Sequence, residues 1–401
     1  MLAGELGPVR KLALEHQLKV GDFFGAADFV RVSQAHIMAD TESLGEAGVA
    51  WLEKLASHPS RERRVRIPTI TDPRGTDFAK AAALRQAPWM LDLEQRAIAA
   101  FVKLGVLMTD TCINYQTVLP ATRGEHVAFG DTGVVIYSNS VCGARSNFEG
   151  GPSALSAGLT GRTPRYGYHL DESRRATLAI RVEWTPRSLD EWGALGGVIG
   201  RIAGNYWAVP VIEAMNAFPG SDALKHFGAA MASFGSIALF HIVGVTPEAA
   251  RFEDVARRGL PQHRVGEAEV RALRSGYRTD NGVDVVVFSA PQLSLIELAQ
   301  LAELCDGKRF TVPMLAVTSP QVQPDAQRMG FVERIEAAGG TVLAGMCFYQ
   351  SYAREMAEAN GWKRLATNSA KLVNILGGYG YRPMLASMEE CVEAARTGKL
   401  A

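Results

Sequence analysis

The chain has 401 residues, enough for two or three domains with large buried cores. Lys+Arg and Asp+Glu both number 42, so the formal net charge is zero, which argues against nucleic acid or an anionic membrane as the partner. Five cysteines, an odd number, make no disulfide framework and fit a reducing compartment. The N-terminus carries Glu5, Arg10, Lys11 and Glu15 and has no apolar h-region, so no signal peptide is expected and the expected location is cytoplasmic. The longest apolar stretch, Phe227 to Val245, contains Gly228, Ser233, Gly235, Ser236 and His241. It reads as a buried helix running into a buried strand, not as a membrane span.

Residues 11–31 read as short helices that turn at Gly21-Asp22. Val32 to Ile37, with His36, leads to a helix over Ser43–Leu55, where Ser43 and Glu46 form a candidate capping box. Val65–Thr71 reads as a strand and Asp72 to Asp77 as a turn. A helix over Leu93–Leu104 stops at Gly105, a short apolar strand Val106-Leu107-Met108 follows, and then comes Thr109-Asp110-Thr111-Cys112-Ile113-Asn114-Tyr115. Gly133–Tyr137 reads as an apolar strand entering the polar run Ser138 to Pro152. Small polar residues, paired glycines and Arg145 at such a place can make a backbone cradle for an anion, with Asn139, Ser140 and Arg145 as donors. An ordinary turn-rich loop accounts for the same run. A second loop, Thr160 to His169, brings Arg, Tyr and His. Thr177–Trp184 reads as a strand. Gly196, Gly200 and Gly204 recur every four residues and clear one helix face for close packing. In the turn Gly244 to Ala249, Thr246 reads as an N-cap and Glu248 as a first-turn acid.

The polar residues 261–282 read as a linker between an N-terminal α/β region, 1–265, with room for two intertwined subdomains, and a C-terminal three-layer α/β domain, 283–401. In the latter, strands (Val283–Phe288, Phe310–Val317, Thr341–Ala344, Arg364–Thr367, Met384–Ala386) alternate with helices, which argues for a parallel sheet covered on both faces. The strand ends carry Ser289, Thr318-Ser319, Cys347 and Thr367-Asn368-Ser369, polar groups on the rim where a ligand should lie.

Cys112 and Cys347 each end a strand that follows a helix and a glycine turn. Cys305 closes the helix Leu293–Leu304, just before Asp306-Gly307-Lys308. Three thiols at such ends can converge on one iron–sulfur cluster. There is no C-x-x-C, however, and a free cysteine packs equally well as a small buried hydrophobe, which is the reading for Cys142 and Cys391.

The combination Ala35-His36-Ile37, Thr111-Cys112, Asn139 to Arg145, Thr160-Gly161-Arg162-Thr163-Pro164, Thr246-Pro247-Glu248-Ala249, Leu304 to Lys308, Met346-Cys347 and Thr367 to Lys371 resembles the large catalytic portion of aconitase X, a branch of the aconitase superfamily. The resemblance implies an α/β, aconitase-like multi-domain architecture, with parallel or mixed sheets flanked by helices around a central cleft. It implies a hydro-lyase with an iron–sulfur cluster held by Cys112, Cys305 and Cys347: [2Fe-2S] by resemblance, with [3Fe-4S] or [4Fe-4S] as alternatives. The candidate catalytic set, from residue types, is Asn139, Ser140 and Arg145 as donors to the carboxylate, with Glu248 and Lys371 as positioning groups. His36, Asn139, Ser140, Arg145, Thr246, Asn368 and Ser369 are the implied substrate contacts. A small swivelling-domain subunit is the implied partner, because no such domain is found within the chain. Two activities are known for this branch, dehydration of cis-3-hydroxy-L-proline and of mevalonate 5-phosphate. With Arg145 the one candidate clamp and no Lys/Arg cluster for a phosphate, the hydroxyproline is the expected substrate.

Two readings of other classes compete. An NAD-dependent oxidoreductase needs a glycine fingerprint opening a βαβ unit, and Gly377-Gly378-Tyr379-Gly380 does not supply one. A non-catalytic iron–sulfur sensor that binds RNA is disfavoured by neutral charge and the lack of aromatic–basic stretches.

Overall fold

The computed structural model describes residues 1–213, 215, 217–278 and 280–400. Its architecture is α/β, as expected, and it is built on three parallel sheets. The first has the order Thr69–Thr71, Ala35–Ile37, Ala128–Phe129, with the earliest strand in the middle. The second runs His241–Ile242, Pro210–Glu213, Leu178–Val182, Gln262–Val265. The third runs Gly340–Ala344, Met314–Thr318, Val285–Leu293, Arg364–Thr367, Arg382–Leu385. A small antiparallel pair, Phe29–Arg31 with Arg162–Pro164, stands apart. Each parallel sheet starts inside, grows to one side and then returns to the other, so each has a point where strand order reverses. Ligands of open α/β sheets collect outside the carboxyl ends of the strands at such points.

Local chemistry explains the main elements. Helix Pro88–Leu104 starts on a proline, whose missing N–H is harmless there, and stops at Gly105 with φ 83°. Helix Thr41–Ala56 is capped by Asp40, whose carboxylate accepts the Ser43 N–H at 2.8 Å. The expected Ser43–Glu46 capping box is therefore not used, and Glu46 turns outward to Arg96. Two of the three stripe glycines pack as expected: a Cβ on Gly196 would collide with the Phe227 carbonyl oxygen, and one on Gly200 would lie 2.7 Å from that of Met231, while Gly204 is instead the helix's C-cap with φ 71°.

Other expectations fail too, beginning with the turn at Gly21-Asp22, which lies inside one continuous helix, Pro8–Phe24. Gly133–Tyr137 is part of a helix, Thr132–Tyr137, capped by Asp131, because an apolar run buried on all sides carries no period to tell helix from strand. Residues 261–282 are no linker: they supply the strand Gln262–Val265 and the helix Glu267–Gly276. Val106–Met108 contributes a single bridge, Leu107 to Ile70, and no full strand. The apolar run from Phe227 becomes the second half of helix Ser221–Gly235 and the strand His241–Ile242. Among the described residues, no helix is long and apolar enough to cross a membrane.

Candidate active site

The reversal points of the first and third sheets open onto the same buried region. From the first sheet come His36, in Ala35–Ile37, and Asp131, two residues beyond Ala128–Phe129. From the third come Ser289 and Gln292, in Val285–Leu293, and Ser369 and Lys371, just beyond Arg364–Thr367. Asp72 follows Thr69–Thr71, and Cys347 lies just past Gly340–Ala344. The loop carrying Cys112 is drawn in by Thr111, whose N–H donates to the Thr71 carbonyl at 3.1 Å. Arg74 ties the two cysteine loops: its guanidinium pairs with Asp110, and its carbonyl accepts the Cys347 N–H at 3.3 Å.

Nearly everything here is buried, and burial sets the charges. The Cys112 thiol is pushed well above its ordinary value by burial, then by the neighbouring Asp72 and Cys347 charges. Burial also lifts Cys347, to about 12, although Lys371 opposes it. Asp72 is raised well above the carboxylate range by burial and by Asp131. Burial alone would lower the Lys371 ammonium and raise Asp131, but their attraction at 3.4 Å outweighs it in both, so Lys371 titrates higher and Asp131 lower than usual. The result is one fixed ion pair beside a neutral Asp72 and two protonated thiols. His36 is neutral, its pKa lowered by burial. Its Nε2 meets the Thr111 carbonyl at 2.9 Å and so carries the proton, which leaves Nδ1 as a bare acceptor with no partner. Both amide atoms of Asn114, one carboxylate oxygen of Asp72 and the Asn368 amide nitrogen are likewise buried and unpartnered. Such orphaned groups are costly, and those of His36 and Asp72, whose side chains approach to 3.7 Å, stand beside Cys112.

Of the residues expected at the site, the structure brings together Cys112, Cys347, His36 and Lys371, with Ser369 close by, whereas Asn368 lines a separate cavity with Asp190, Asp222 and Glu297. Ser369 also caps the helix Ala370–Leu376 and donates to the Ala290 carbonyl at 2.6 Å. Cys305 does not join them. It ends the helix Leu295–Cys305, and 11 residues at the usual rise put it about 16 Å from that helix's start beside the site. Its thiol, pushed up to about 11 by burial, has Lys308 and Arg334 as its charged neighbours. Among the described residues, no group of three or more His, Cys, Asp or Glu side chains is placed to hold a metal ion.

The expected anion cradle is also elsewhere. The helix that starts at Asp131 continues through a wider π turn, Ser138–Cys142, so its far end lies roughly 15 Å from the site. The Asn139 amide is saturated by Ser146 and the Ala238 carbonyl, and the Ser140 hydroxyl accepts the Phe240 N–H at 2.9 Å. Arg145 pairs with Asp171 and reaches the His169 carbonyl at 3.2 Å. Glu248 is held by Arg174 at 2.9 Å, and Thr246 bonds back to Ile242. Asn139, Ser140 and Thr246 brace the segment 238–242, and Arg145 and Glu248 are held by Asp171 and Arg174.

Comparison with known proteins agrees with this layout. Models described as the first, second and third domains of aconitase X match residues 1–172, 176–275 and 283–397, one domain per parallel sheet. The phosphomevalonate dehydratase large subunit of Methanothermobacter thermautotrophicus is 34% identical, over 94% of this chain and 92% of its own length. The chain belongs to the aconitase X family. As a family member it is a dehydratase, a carbon–oxygen lyase. The large subunit of the same name from Methanosarcina mazei is 33% identical over all of this chain and 96% of its own. A cis-3-hydroxy-L-proline dehydratase of Pseudomonas aeruginosa is 31% identical, and this chain spans 69% of its length. The crystal structure of Thermococcus kodakaraensis aconitase X in its holo form superposes with a TM-score of 0.87 at 29% identity, over 98% of this chain and 97% of that one.

Proposed function

We propose that the chain is the large subunit of a two-chain hydro-lyase that removes water from a 3-hydroxy carboxylic acid, and that the acid is mevalonate 5-phosphate. The observation that carries the reading is the buried pair Cys112 and Cys347, side by side with Asp72 and Asp131, where His36 and Asp72 keep unpartnered atoms. The expected preference for hydroxyproline gives way because the large subunits named for phosphomevalonate match this chain over nearly their whole length, whereas the hydroxyproline enzymes are longer. The name large subunit carried by those relatives supports a separate small subunit.

An iron–sulfur cluster fits the residues at hand through Cys112 and Cys347, with the third protein ligand drawn from nitrogen or oxygen donors, of which His36 Nδ1 and the Asn114 amide are buried without partners. The Gln292 N–H, 3.4 Å from the Cys112 sulfur, suits a sulfur that carries negative charge. When bound, the cluster supplies a Lewis-acidic iron that makes the substrate hydroxyl a better leaving group. The chain's own groups do the rest. Lys371, kept charged by Asp131, offers a donor to the substrate carboxylate. Asp72, kept neutral by burial, holds a proton on its unpartnered oxygen for the departing hydroxyl. Closure by the small subunit excludes water and brings the base.

One observation favours cis-3-hydroxy-L-proline instead. Asp40, Asp72 and Asp131 lie close together, and the cations nearby, Lys371 and Arg74, are each already paired. Such a cluster of carboxyl groups, even with Asp72 protonated, gives a substrate ammonium oxygen acceptors, while the two paired cations offer little to a phosphate. The test is an anaerobic dehydratase assay on both acids, with the chain alone and co-expressed with a small partner. Turnover of mevalonate 5-phosphate by the pair only is the expected result. Turnover of hydroxyproline alone exchanges the substrate, and full activity without a partner overturns the two-chain reading.

A further inference from the structure

Gln292 is fully buried, and every polar group it owns is used. Its main-chain N–H donates to the Cys112 sulfur at 3.4 Å, and its side-chain oxygen accepts the Cys112 N–H at 3.3 Å. Its side-chain nitrogen donates twice, to the Asp110 carbonyl at 3.1 Å and to the Met346 carbonyl at 3.2 Å. One residue thus grips the Cys112 loop at three points and the residue before Cys347 at a fourth. Its own carbonyl accepts from the Lys225 ammonium at 3.1 Å.

Lys225 is a fully buried ammonium on the second domain's helix Ser221–Gly235. It pairs with Glu297 and, at 3.1 Å, with Asp222. Glu297 also accepts from His226 at 2.7 Å and from the Ser294 N–H at 2.8 Å. Burial alone would raise this carboxylate, but Lys225 and His226 outweigh it and hold it at about 2. A buried ion pair adds little net stability but tolerates little displacement, because loosening it leaves a charge without a partner. It is therefore a stiff anchor for the strand that carries Gln292.

We propose that Gln292, anchored by Lys225, is the positioning residue that holds Cys112 and Cys347 at one fixed separation and orientation, so that the two sulfurs present a ready-made half-site. The proposal rests on the cysteine pair acting together, as in the function proposed above, but not on the identity of the substrate. A helix–strand core needs no glutamine here; a leucine would fill the volume. What leucine lacks is the three side-chain bonds that tie one loop to the other. Orientation of ligating groups by their hydrogen-bonded neighbours is what fixes the affinity and electronics of such a site.

The test uses Gln292→Leu and the isosteric Gln292→Glu, first in the cofactor-free chain. Each cysteine is alkylated under native conditions and its rate read by mass spectrometry. In Gln292→Leu, Cys112 and Cys347 should react at least about tenfold faster together, while Cys305 and Cys391, buried outside the clamp, keep the wild-type rate. Gln292→Glu keeps the acceptor for the Cys112 N–H but has no donor for the Asp110 and Met346 carbonyls, so Cys347 should be released more than Cys112. After reconstitution, both variants should lose iron to a chelator at least about tenfold faster than wild type. Should the leucine variant fail to fold, the glutamate variant decides on the same readouts. Wild-type rates at Cys112 and Cys347, a uniform rise at all buried cysteines, or unchanged iron release would overturn the proposal. If the clamp holds and neither acid is dehydrated, the substrate assignment alone has failed.

Discussion

Glu94 gives a sharp test of how burial sets charge around this site. It lies in helix Pro88–Leu104, is 1% exposed, and one of its oxygens takes both the Thr41 hydroxyl at 2.8 Å and the Gly75 N–H at 3.2 Å. Gly75 follows Arg74, which ties the two cysteine loops, so Glu94 supports the site from below. Burial pushes its carboxyl from an ordinary 4.5 up to about 7, only partly offset by those two hydrogen bonds. A folded-state pKa above the unfolded one means that the folded chain keeps a proton that the unfolded chain has released. Stability is then fully present below the unfolded pKa and falls as pH rises towards 7. At about 1.4 kcal/mol per unit, the loss above pH 7 is about 3 kcal/mol. The amide of a Glu94→Gln variant mimics the neutral acid and escapes that loss. With an unfolding entropy of about 2.1 cal/mol/K per residue, that difference is worth about 4 °C in melting temperature if all 401 residues melt together. Scanning calorimetry of the cofactor-free chain should find wild type and Glu94→Gln melting together at pH 4, below the unfolded pKa, and the variant about 4 °C higher at pH 8.5. An equal gap at both pH values, or none at pH 8.5, would refute the reasoning.

Four of the five cysteines should divide two against two. Cys112→Ser and Cys347→Ser should each abolish retained iron after reconstitution, while Cys305→Ser and Cys391→Ser should keep wild-type iron content; loss of iron in Cys305→Ser with an intact fold would restore that residue to the ligand set. Arg145→Lys keeps the surface charge beside Asp171 and should leave kcat/KM within about twofold, in contrast to the drop of at least about tenfold, or roughly 1.4 kcal/mol, expected of a lost carboxylate clamp.

What was legible in the sequence follows from the direction of the chain. In a parallel sheet every strand points the same way, so residues just past strand ends gather on one rim, and Cys347 and Ser369 were recognisable from that rule alone. The helices run back the other way. Cys305 closes a helix and therefore sits at the opposite rim, where the strand-end rule places no site residue. Arg145 was lost by a related step: once Gly133–Tyr137 is helical, its start faces the site and its far end cannot. The residue that sequence reasoning missed there is Asp131. It stands two residues past a strand and three before the first helical N–H it caps, a signal that was present but hidden by reading the next five residues as a strand. Asp72 was set aside as the first residue of a turn, yet it too directly follows a strand end. Gln292 left no such signal, because its role comes from chain segments far away in sequence. Strand-end position predicts which residues reach the site. Which of them are charged there, and which hold the others in place, is decided by burial and by long-range hydrogen bonds that only the assembled sheets create.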